Sequence, residues 1–204
     1  MSLLQRPEKG KYITFEGLEG VGKSYFLEQL KEEFTVVSDD SLSGFGLKLL
    51  EGMRNKDLFF RHGYPLSEFL VFFAVELHEI EKKVIPALKK GKIVVQDRGV
   101  DTNVLYAALQ MKGDMMELFK MREKACFLPD LTILFVDDFM TCVKRSEQRN
   151  GREYTSEELA FLGKIQKGFE ELQELFPERI KILNRKGKSE KEILEEIKEV
   201  ISKH

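Results

Sequence analysis

The stretch that most constrains this chain runs from Gly17 to Ser24, reads GLEGVGKS and follows the apolar residues 12–15. Its spacing matches GxxxxGK[ST], a loop whose glycines let the backbone turn tightly and approach a ligand closely. Backbone N–H groups of such a loop surround phosphate oxygens, and the N-terminus of the following helix favours the same anions. The pattern therefore predicts a strand, a phosphate-binding loop and a helix that together hold a nucleotide.

Two side chains of this loop carry predicted chemistry. Lys23 can reach the β- and γ-phosphates of a bound nucleotide, and the Ser24 hydroxyl can bind Mg²⁺, so we predict Mg²⁺ as cofactor. The loop alone does not distinguish kinases, GTPases and motors, although the chain lacks an NKxD motif for guanine and is short for a motor. The predicted ATP-binding residues are Gly17, Leu18, Glu19, Gly20, Val21, Gly22, Lys23 and Ser24.

Five short apolar segments, each typical of a buried strand, alternate with helical patterns along the chain. Strands that alternate with helices in this way favour a parallel sheet covered on both faces. We therefore predict an α/β fold, a P-loop NTPase three-layer sandwich with a five-stranded parallel sheet. No internal repeat or linker divides the chain, so we expect 1–204 to form one domain, with 1–9 as a disordered lead. The strand segments lie at 11–16, 35–37, 92–97, 131–136 and 180–183.

Composition narrows the setting in which such a domain works. The chain has 204 residues, 42% hydrophobic and 33% charged, which is ordinary for a globular protein. A net charge of −2 does not favour a nucleic-acid partner, and no apolar run approaches the ~18 residues of a membrane helix. Since a signal-peptide pattern is also missing, we expect a cytoplasmic protein without a membrane partner. Cys126 and Cys142 have no metal spacing, which predicts buried thiols in a reducing compartment.

Several motifs together resemble the thymidylate kinase family of nucleoside monophosphate kinases. The stretch FEGLEGVGKS at 15–24 is similar to the family pattern FEG(L/I)(E/D)GxGK(S/T), which is more specific than the phosphate loop alone. The resemblance covers nearly the whole chain. It includes an acceptor-site helix and its exit at 68–91, a segment like DR(Y/H)xxSxxAY at 97–106, PDLT at 129–132 and an arginine-bearing lid.

The resemblance implies transfer of the ATP γ-phosphoryl group to a nucleoside monophosphate, most simply dTMP, within a homodimer. It also implies a basic lid, approximately 145–156, whose Arg145, Arg149 and Arg152 neutralise charge on the transferring group. The phosphate loop itself contains no arginine, which resembles the subgroup that takes its catalytic arginine from the lid. A solvated basic face is the alternative for each of the three arginines.

The end of the third strand carries two further candidate catalytic residues. The resemblance assigns Asp97 to Mg²⁺, through water, and Arg98 to the acceptor phosphate, whose oxygens suit a guanidinium. A helix cap and a structural salt bridge are the respective alternatives. Glu19 would accept a hydrogen bond from the sugar 3′-hydroxyl of the acceptor, and Phe72 would stack on its base. The predicted acceptor-binding residues are therefore Glu19, Phe72, Glu76, Arg98, Thr102 and Tyr106.

The acceptor side departs from the family pattern in three places. Asp39 and Asp40 occupy the segment where the family has an arginine after the second strand, and Glu76 replaces an arginine of the long helix. The glutamine and glycine of the family's AYQG motif are replaced by Ala107 and Ala108. A carboxylate at 76 suits an amino group, as on cytosine or adenine, so the preferred acceptor could differ from thymidylate. Arg54 or Arg61 could compensate for the lost arginines.

Three functions remain open from the sequence. Thymidylate phosphorylation leads, followed by a kinase for a different nucleotide or nucleoside acceptor. A non-catalytic, ATP-binding regulatory relative is the third, and such a protein need not keep Lys23, Asp97, Arg98 and the lid arginines.

Overall fold

The computed structural model describes residues 2–38, 44, 47–48 and 64–204, and every structural statement below concerns these residues. The two candidate compensating residues, Arg54 and Arg61, lie outside the described residues. Asp39 and Asp40 of the divergent segment lie outside them as well.

A five-stranded parallel sheet forms the centre of the molecule, as the sequence predicts. Its strand order is β2-β3-β1-β4-β5, so β1 is central and β2 and β5 are the edges. The chain crosses over after β2 so that β3 pairs with β1. The carboxyl ends of β1 and β3 therefore lie side by side at one edge of the sheet, with Phe15 opposite Asp97. Ligands of open α/β sheets bind in the crevice outside the carboxyl ends of the strands. The strands are β1 Lys11–Glu16, β2 Thr35–Val37, β3 Ile93–Asp97, β4 Leu131–Val136 and β5 Ile180–Asn184.

Eight described α-helices surround this sheet. The second continues without a break through a π-helical segment, Ile80–Val84, into the third, so that one long helical rod precedes β3. The helices are α1 Lys23–Leu30, α2 Pro65–Glu79, α3 Ile85–Lys89, α4 Val100–Met111, α5 Met115–Ala125, α6 Phe139–Asn150, α7 Ser156–Leu175 and α8 Glu190–Lys203.

The apolar core consists of two clusters packed against the sheet. The larger one centres on Phe15, Phe26 and Phe135, whose rings stand 4.9 Å and 5.7 Å apart around Phe135. The smaller one lies beneath the long helical rod and includes Ile80 and Val94. Every residue of β4 up to Phe135 is buried, as expected for a parallel strand covered on both faces.

A buried polar network joins α4 to the far half of the sheet. Asp101, fully buried in the first turn of α4, accepts two hydrogen bonds from Arg179 at 2.6 Å and 2.8 Å. It also accepts one from the Thr132 hydroxyl at 2.8 Å, and that hydroxyl lies 2.9 Å from the hydroxyl of Thr14. The first turn of α4 is therefore fixed to β1 and β4 by hydrogen bonds as well as by packing.

The expected disordered lead is instead bound to the body of the protein. The backbone N–H groups of Leu3 and Leu4 donate to carbonyls at the end of α5, at 3.0 Å and 2.8 Å. Arg6 forms a two-pronged ion pair with Asp130, at 3.0 Å and 2.5 Å, and Asp130 also accepts from the Tyr12 N–H. Arg6 therefore fastens this segment beside the start of β1 and β4.

The beginnings of two helices follow from local sequence. Thr155 and Glu158 form a reciprocal capping box at the start of α7, as the T-x-x-E spacing predicts. Asp138 caps α6 by accepting from the Thr141 N–H at 2.9 Å. Within the described part of the chain, no helix is long and apolar enough to cross a bilayer.

Both cysteines are free and buried, which leads to a chemical prediction. Burial, with Asp137 nearby, raises the pKa of Cys142 to about 11, and burial raises the pKa of Cys126. Because the thiolate is the reactive form, we expect the folded protein to react slowly with Ellman's reagent at pH 8, and both thiols to react within minutes in denaturant. Rapid reaction of either thiol in the folded protein would contradict the burial described here.

Candidate active site

The phosphate-binding loop needs its glycines for two physical reasons. Gly17, Gly20 and Gly22 have φ of 130°, 79° and 94°, in the left-handed region that other residues rarely adopt. A Cβ atom on Gly17 would collide with the carbonyl oxygen of Phe135, and one on Gly20 with that of Cys142. The loop is thus pressed against the backbone of β4 and α6, and only glycine fits at these points.

The remaining loop residues divide into core anchors and ligand groups. Leu18 and Val21 are buried in the larger apolar cluster, so they can reach a nucleotide only through their backbones. Ser24 is exposed in the first turn of α1, where its hydroxyl is free to meet a cation. Packing of Leu18 and Val21 thus fixes the loop, whereas Ser24 lies on its exposed side.

Lys23 lies buried over the loop. Its Nζ donates to the carbonyls of Gly17 and Leu18 at 2.9 Å and 3.0 Å. Burial lowers the pKa of Lys23 to about 7, and Arg98 acts in the same direction, whereas Asp97 opposes the shift. The phosphate loop and the end of β3 begin side by side, because Phe15 of β1 is paired opposite Asp97 of β3.

Arg98 is held at an unusual backbone conformation directly after β3. Its φ is 59°, in the left-handed region, which is strained for a residue with a long side chain. Its N–H donates to the Phe15 carbonyl at 3.0 Å, and its own carbonyl accepts from Gln96 Nε2 at 3.0 Å. Its guanidinium donates to the Thr102 hydroxyl at 3.1 Å. Strain of this kind persists only where surrounding contacts enforce it, and it is common at functional sites.

Asp97 and Ser24 are the side chains that fit a magnesium ion. Asp97 Oδ1 is buried and has no hydrogen-bond partner among the described residues. An orphaned carboxylate oxygen suits a hard cation or its water ligands, since Mg²⁺ takes few protein oxygens and keeps several waters. The described residues contain no cluster of three or more His, Cys, Asp or Glu side chains around one point. The arrangement therefore fits an ion held largely by phosphates and water.

Glu16 is a site residue that the sequence analysis passed over, although it stands in the FEG motif. It is fully buried at the end of β1 and accepts hydrogen bonds from the N–H of Gly99 at 2.8 Å, the N–H of Thr102 at 3.3 Å and the Thr102 hydroxyl. Burial and nearby Asp101 raise the pKa of Glu16, whereas Thr102 and Arg98 oppose this. All of its partners donate, which is the arrangement that suits a carboxylate.

Glu76, predicted to face the acceptor, belongs to a buried ion pair. One oxygen accepts from Arg122 at 3.0 Å and the other from the Asn103 amide at 3.0 Å. Glu76 is 6% exposed and Arg122 only 1%, and the guanidinium lies 4.6 Å from the centre of the Phe73 ring. Sequence reasoning missed Arg122, although it follows the buried Phe119 by three residues on the same helical face. The negative charge of Glu76 is therefore neutralised within the protein.

The aromatic residues of α2 and α4 separate into core and pocket candidates. Phe69 and Phe73 are buried, with ring centres 6.1 Å apart, whereas Phe72 is only half-buried. Tyr106 is also half-buried, and its ring packs edge-on against Phe161 at 5.9 Å. Of the three phenylalanines, Phe72 is thus the one left with surface for a ligand, and its stacking role stays a prediction.

The three lid arginines pair with three different acids. Arg145 contacts Asp137 at 2.7 Å, and Arg152 binds Glu158 through two hydrogen bonds at 2.9 Å and 2.6 Å. Arg149 alone reaches the phosphate loop, where it forms an ion pair with Glu19. The lid therefore brings Arg149 to the loop and leaves Arg152 fixed at the start of α7.

Glu19 is the point at which the lid and the phosphate loop meet. Besides Arg149, it accepts from the Asn150 amide at 3.3 Å and from the Tyr154 hydroxyl at 3.2 Å. Burial alone would raise its pKa, but the hydrogen bond from Asn150 and the charge of Arg149 lower it. Glu19 is thus a carboxylate surrounded by donors of the protein itself, and its contact with a sugar hydroxyl stays a prediction.

Arg185, directly after β5, is a third residue that the sequence analysis missed, besides Glu16 and Arg122. Its guanidinium donates to the Val21 carbonyl, lies 5.1 Å from the centre of the Phe26 ring and would collide with a Cβ on Gly22. The only sequence signal is the basic run at 185–188 after the last strand. A cation placed here adds to the positive field around the loop.

Comparison with known proteins agrees with this geometry. A model of the thymidylate kinase family matches residues 15–197. The thymidylate kinase of Rickettsia africae (strain ESF-5) is 33% identical over 198 residues, which cover 94% of this chain and 97% of the relative. That of Rickettsia canadensis (strain McKiel) is 32% identical over 203 residues, which cover 96% of this chain and 97% of the relative.

The fold comparison points the same way. A crystal structure of thymidylate kinase from Ehrlichia chaffeensis superimposes with a TM-score of 0.69 at 21% identity, covering 95% of this chain and 99% of that one. The family match and the sequence relatives together establish that the chain belongs to the thymidylate kinase family.

Proposed function

We propose that this protein phosphorylates dTMP with ATP and releases dTDP and ADP. The observation that carries the proposal is that two candidate phosphate-binding elements lie side by side at one sheet edge. These are the loop that follows β1 and Arg98 at the end of β3, where Phe15 is opposite Asp97 and accepts from the Arg98 N–H at 3.0 Å. A donor site and an acceptor site at neighbouring strand ends suit direct phosphoryl transfer. Family membership supplies the phosphotransferase chemistry and the thymidylate acceptor.

On the donor side, the loop N–H groups and Lys23 hold the ATP phosphates. An oxygen of the acceptor 5′-phosphate attacks the γ-phosphorus, and the bond to the bridging oxygen of ADP breaks, so ADP leaves with that electron pair. No general base is needed, because the attacking phosphate is already ionised. Ser24 and Asp97 would hold Mg²⁺, which would supply neutralisation of the phosphate charge.

The lid contributes by an exchange of partners. Arg149 leaves Glu19 for the transferring phosphoryl group, and Glu19 then accepts a hydrogen bond from the acceptor's 3′-hydroxyl. The support for this step is that Arg149 and Glu19 already meet across the site in the described structure. The exchange neutralises charge where it develops, which is the main catalytic device in phosphoryl transfer.

The base pocket favours thymine over an amino-bearing base. The carboxylate of Glu76 can only accept, so Asn103 must turn its NH₂ group toward it and keep its Oδ1 as an acceptor. An acceptor in that position suits the ring N–H of thymine and not the unprotonated ring nitrogen of cytosine. With its charge balanced by Arg122, Glu76 itself is not a free acceptor for an amino group. These contacts disfavour the altered-acceptor hypothesis.

We also propose the finer features that the family relationship supports: Mg²⁺ as cofactor, a homodimer, and action in the cytoplasm with a nucleoside monophosphate and ATP as substrates. Nucleic acid has no place in this scheme.

The first prediction concerns the acceptor. ADP release from Mg·ATP should be fastest, in kcat/KM, with dTMP among the common deoxynucleoside monophosphates, and thymidine itself should not serve. Faster turnover of dCMP or of a nucleoside would contradict the proposal. ATP binding without acceptor-dependent ADP release would favour the regulatory alternative instead.

The second prediction concerns Lys23. Lys23→Ala removes the ammonium that neutralises the phosphates, so kcat should fall about a hundredfold or more while the protein stays folded. Lys31→Ala, at an exposed lysine just after α1, is the matched control and should keep wild-type turnover. A Lys23→Ala variant with most of its activity would remove Lys23 from the mechanism.

The third prediction tests the buried pair. Glu76→Arg and Arg122→Glu should each lower the free energy of unfolding by about 3–5 kcal/mol in urea, because each leaves like charges buried together. The double exchange should recover a large part of that loss. Exchanging the exposed partners Glu117 and Lys120 on α5 is the control and should change little. Additive single losses in the double variant would mean that the two residues are not coupled.

A further inference from the structure

Glu16 belongs to the motif that precedes the phosphate loop, yet neither the nucleotide nor the proposed transfer step uses it. It is fully buried, and its carboxylate accepts hydrogen bonds from Gly99 and Thr102 at the first turn of α4. A buried carboxylate is costly unless donors satisfy it. Its place at the end of the central strand therefore calls for a specific partner.

The two oxygens of this carboxylate accept from different kinds of donor. Oε1 accepts from the N–H of Gly99 at 2.8 Å and of Thr102 at 3.3 Å, and thereby caps α4, whose own N-cap residue, Gly99, has no side chain to do so. Oε2 accepts from the Thr102 hydroxyl. One oxygen thus stabilises the helix, and the other orients a hydroxyl.

That hydroxyl is fixed in one direction. The Thr102 hydroxyl donates its only hydrogen to Glu16. Its oxygen lone pairs therefore face Arg98, which donates to it at 3.1 Å. The result is a chain of two hydrogen bonds, in which the guanidinium donates to the hydroxyl and the hydroxyl donates to the carboxylate. Charge-assisted hydrogen bonds of this kind are stronger and more directional than neutral ones.

The backbone of Arg98 is held from the opposite side. Tyr12 donates its hydroxyl to Gln96 Oε1 at 3.0 Å, so the Gln96 amide turns its Nε2 to the Arg98 carbonyl. Arg98 needs restraint at both ends because its φ of 59° is unfavourable for a non-glycine residue. Without these contacts its guanidinium would sample positions away from the acceptor phosphate.

We infer that Glu16 is a positioning residue for Arg98, acting through the Thr102 hydroxyl, and that it sets the affinity of the acceptor and not that of ATP. The inference rests on the proposed function only in needing an acceptor phosphate at Arg98. Thr102 then serves the acceptor through Arg98, and not by touching the base or the sugar.

Two variants separate positioning from helix capping. Glu16→Gln keeps a carbonyl oxygen for the N–H groups of Gly99 and Thr102 but replaces Oε2 with an amide that cannot accept. Thr102→Val removes the bridging hydroxyl with little change in shape, and Thr102→Ser restores it. KM for the acceptor, KM for ATP, kcat and urea stability would be measured for each, with the acceptor that the wild-type enzyme turns over fastest.

We expect KM for the acceptor to rise about tenfold or more in Glu16→Gln and Thr102→Val, with KM for ATP within about twofold of wild type. Thr102→Ser should lie close to wild type. Thr14→Val is the matched control, because Thr14 is equally buried and loses one hydrogen bond, to Thr132, that does not lead to Arg98. It should lose stability and keep the acceptor KM.

Each result decides a different point. Unchanged acceptor KM in Glu16→Gln and Thr102→Val, or parallel changes in both KM values, would overturn the positioning role while leaving the kinase function intact. Sensitive variants in an enzyme that prefers another acceptor would support the role and overturn the choice of dTMP. A wild-type protein that turns over no acceptor would overturn both.

Discussion

The parallel pairing of β1 with β3 is the constraint on which the site depends. It sets Phe15 opposite Asp97, so that the phosphate loop after β1 and the strained Arg98 after β3 begin side by side. The glycines of the loop then let it press against β4 and α6. Donor and acceptor phosphates can meet only because the crossover places these two strand ends together.

A second theme is that most of the charges in this region are paired inside the protein. Arg149 binds Glu19, Arg145 binds Asp137, and the buried pair of Glu76 and Arg122 lies beside the acceptor helix. The exposed pairs are weak in water and can exchange partners when phosphates arrive. The buried pair cannot, since separating it would leave a charge unpaired in an apolar setting. Burial thus distinguishes the arginines that can move to a substrate from the ion pair that maintains the fold.

Local patterns predicted most of the fold, because they act within a few residues. The loop glycines, the five apolar strands and the capping box at Thr155 all have short-range causes and are found in the structure. Local patterns offer no means of finding partners that are distant in the chain. Arg6 binds Asp130 and Arg122 binds Glu76, and no periodicity reports such distances. The sequence analysis therefore expected a free carboxylate at Glu76, which is in fact neutralised by Arg122. It also expected a disordered segment at 1–9, of which residues 3, 4 and 6 are hydrogen-bonded to the body of the protein.

The central claim is that a pocket built around a neutralised Glu76 accepts thymidylate. Calorimetric titration of dTMP and dCMP, each with a non-hydrolysable ATP analogue and Mg²⁺ present, tests it without relying on turnover. The account predicts that dTMP binds about tenfold or more tightly, the effect of about one well-formed hydrogen bond to a fixed acceptor. Equal or tighter binding of dCMP would contradict it and return Glu76 to the base as a free carboxylate.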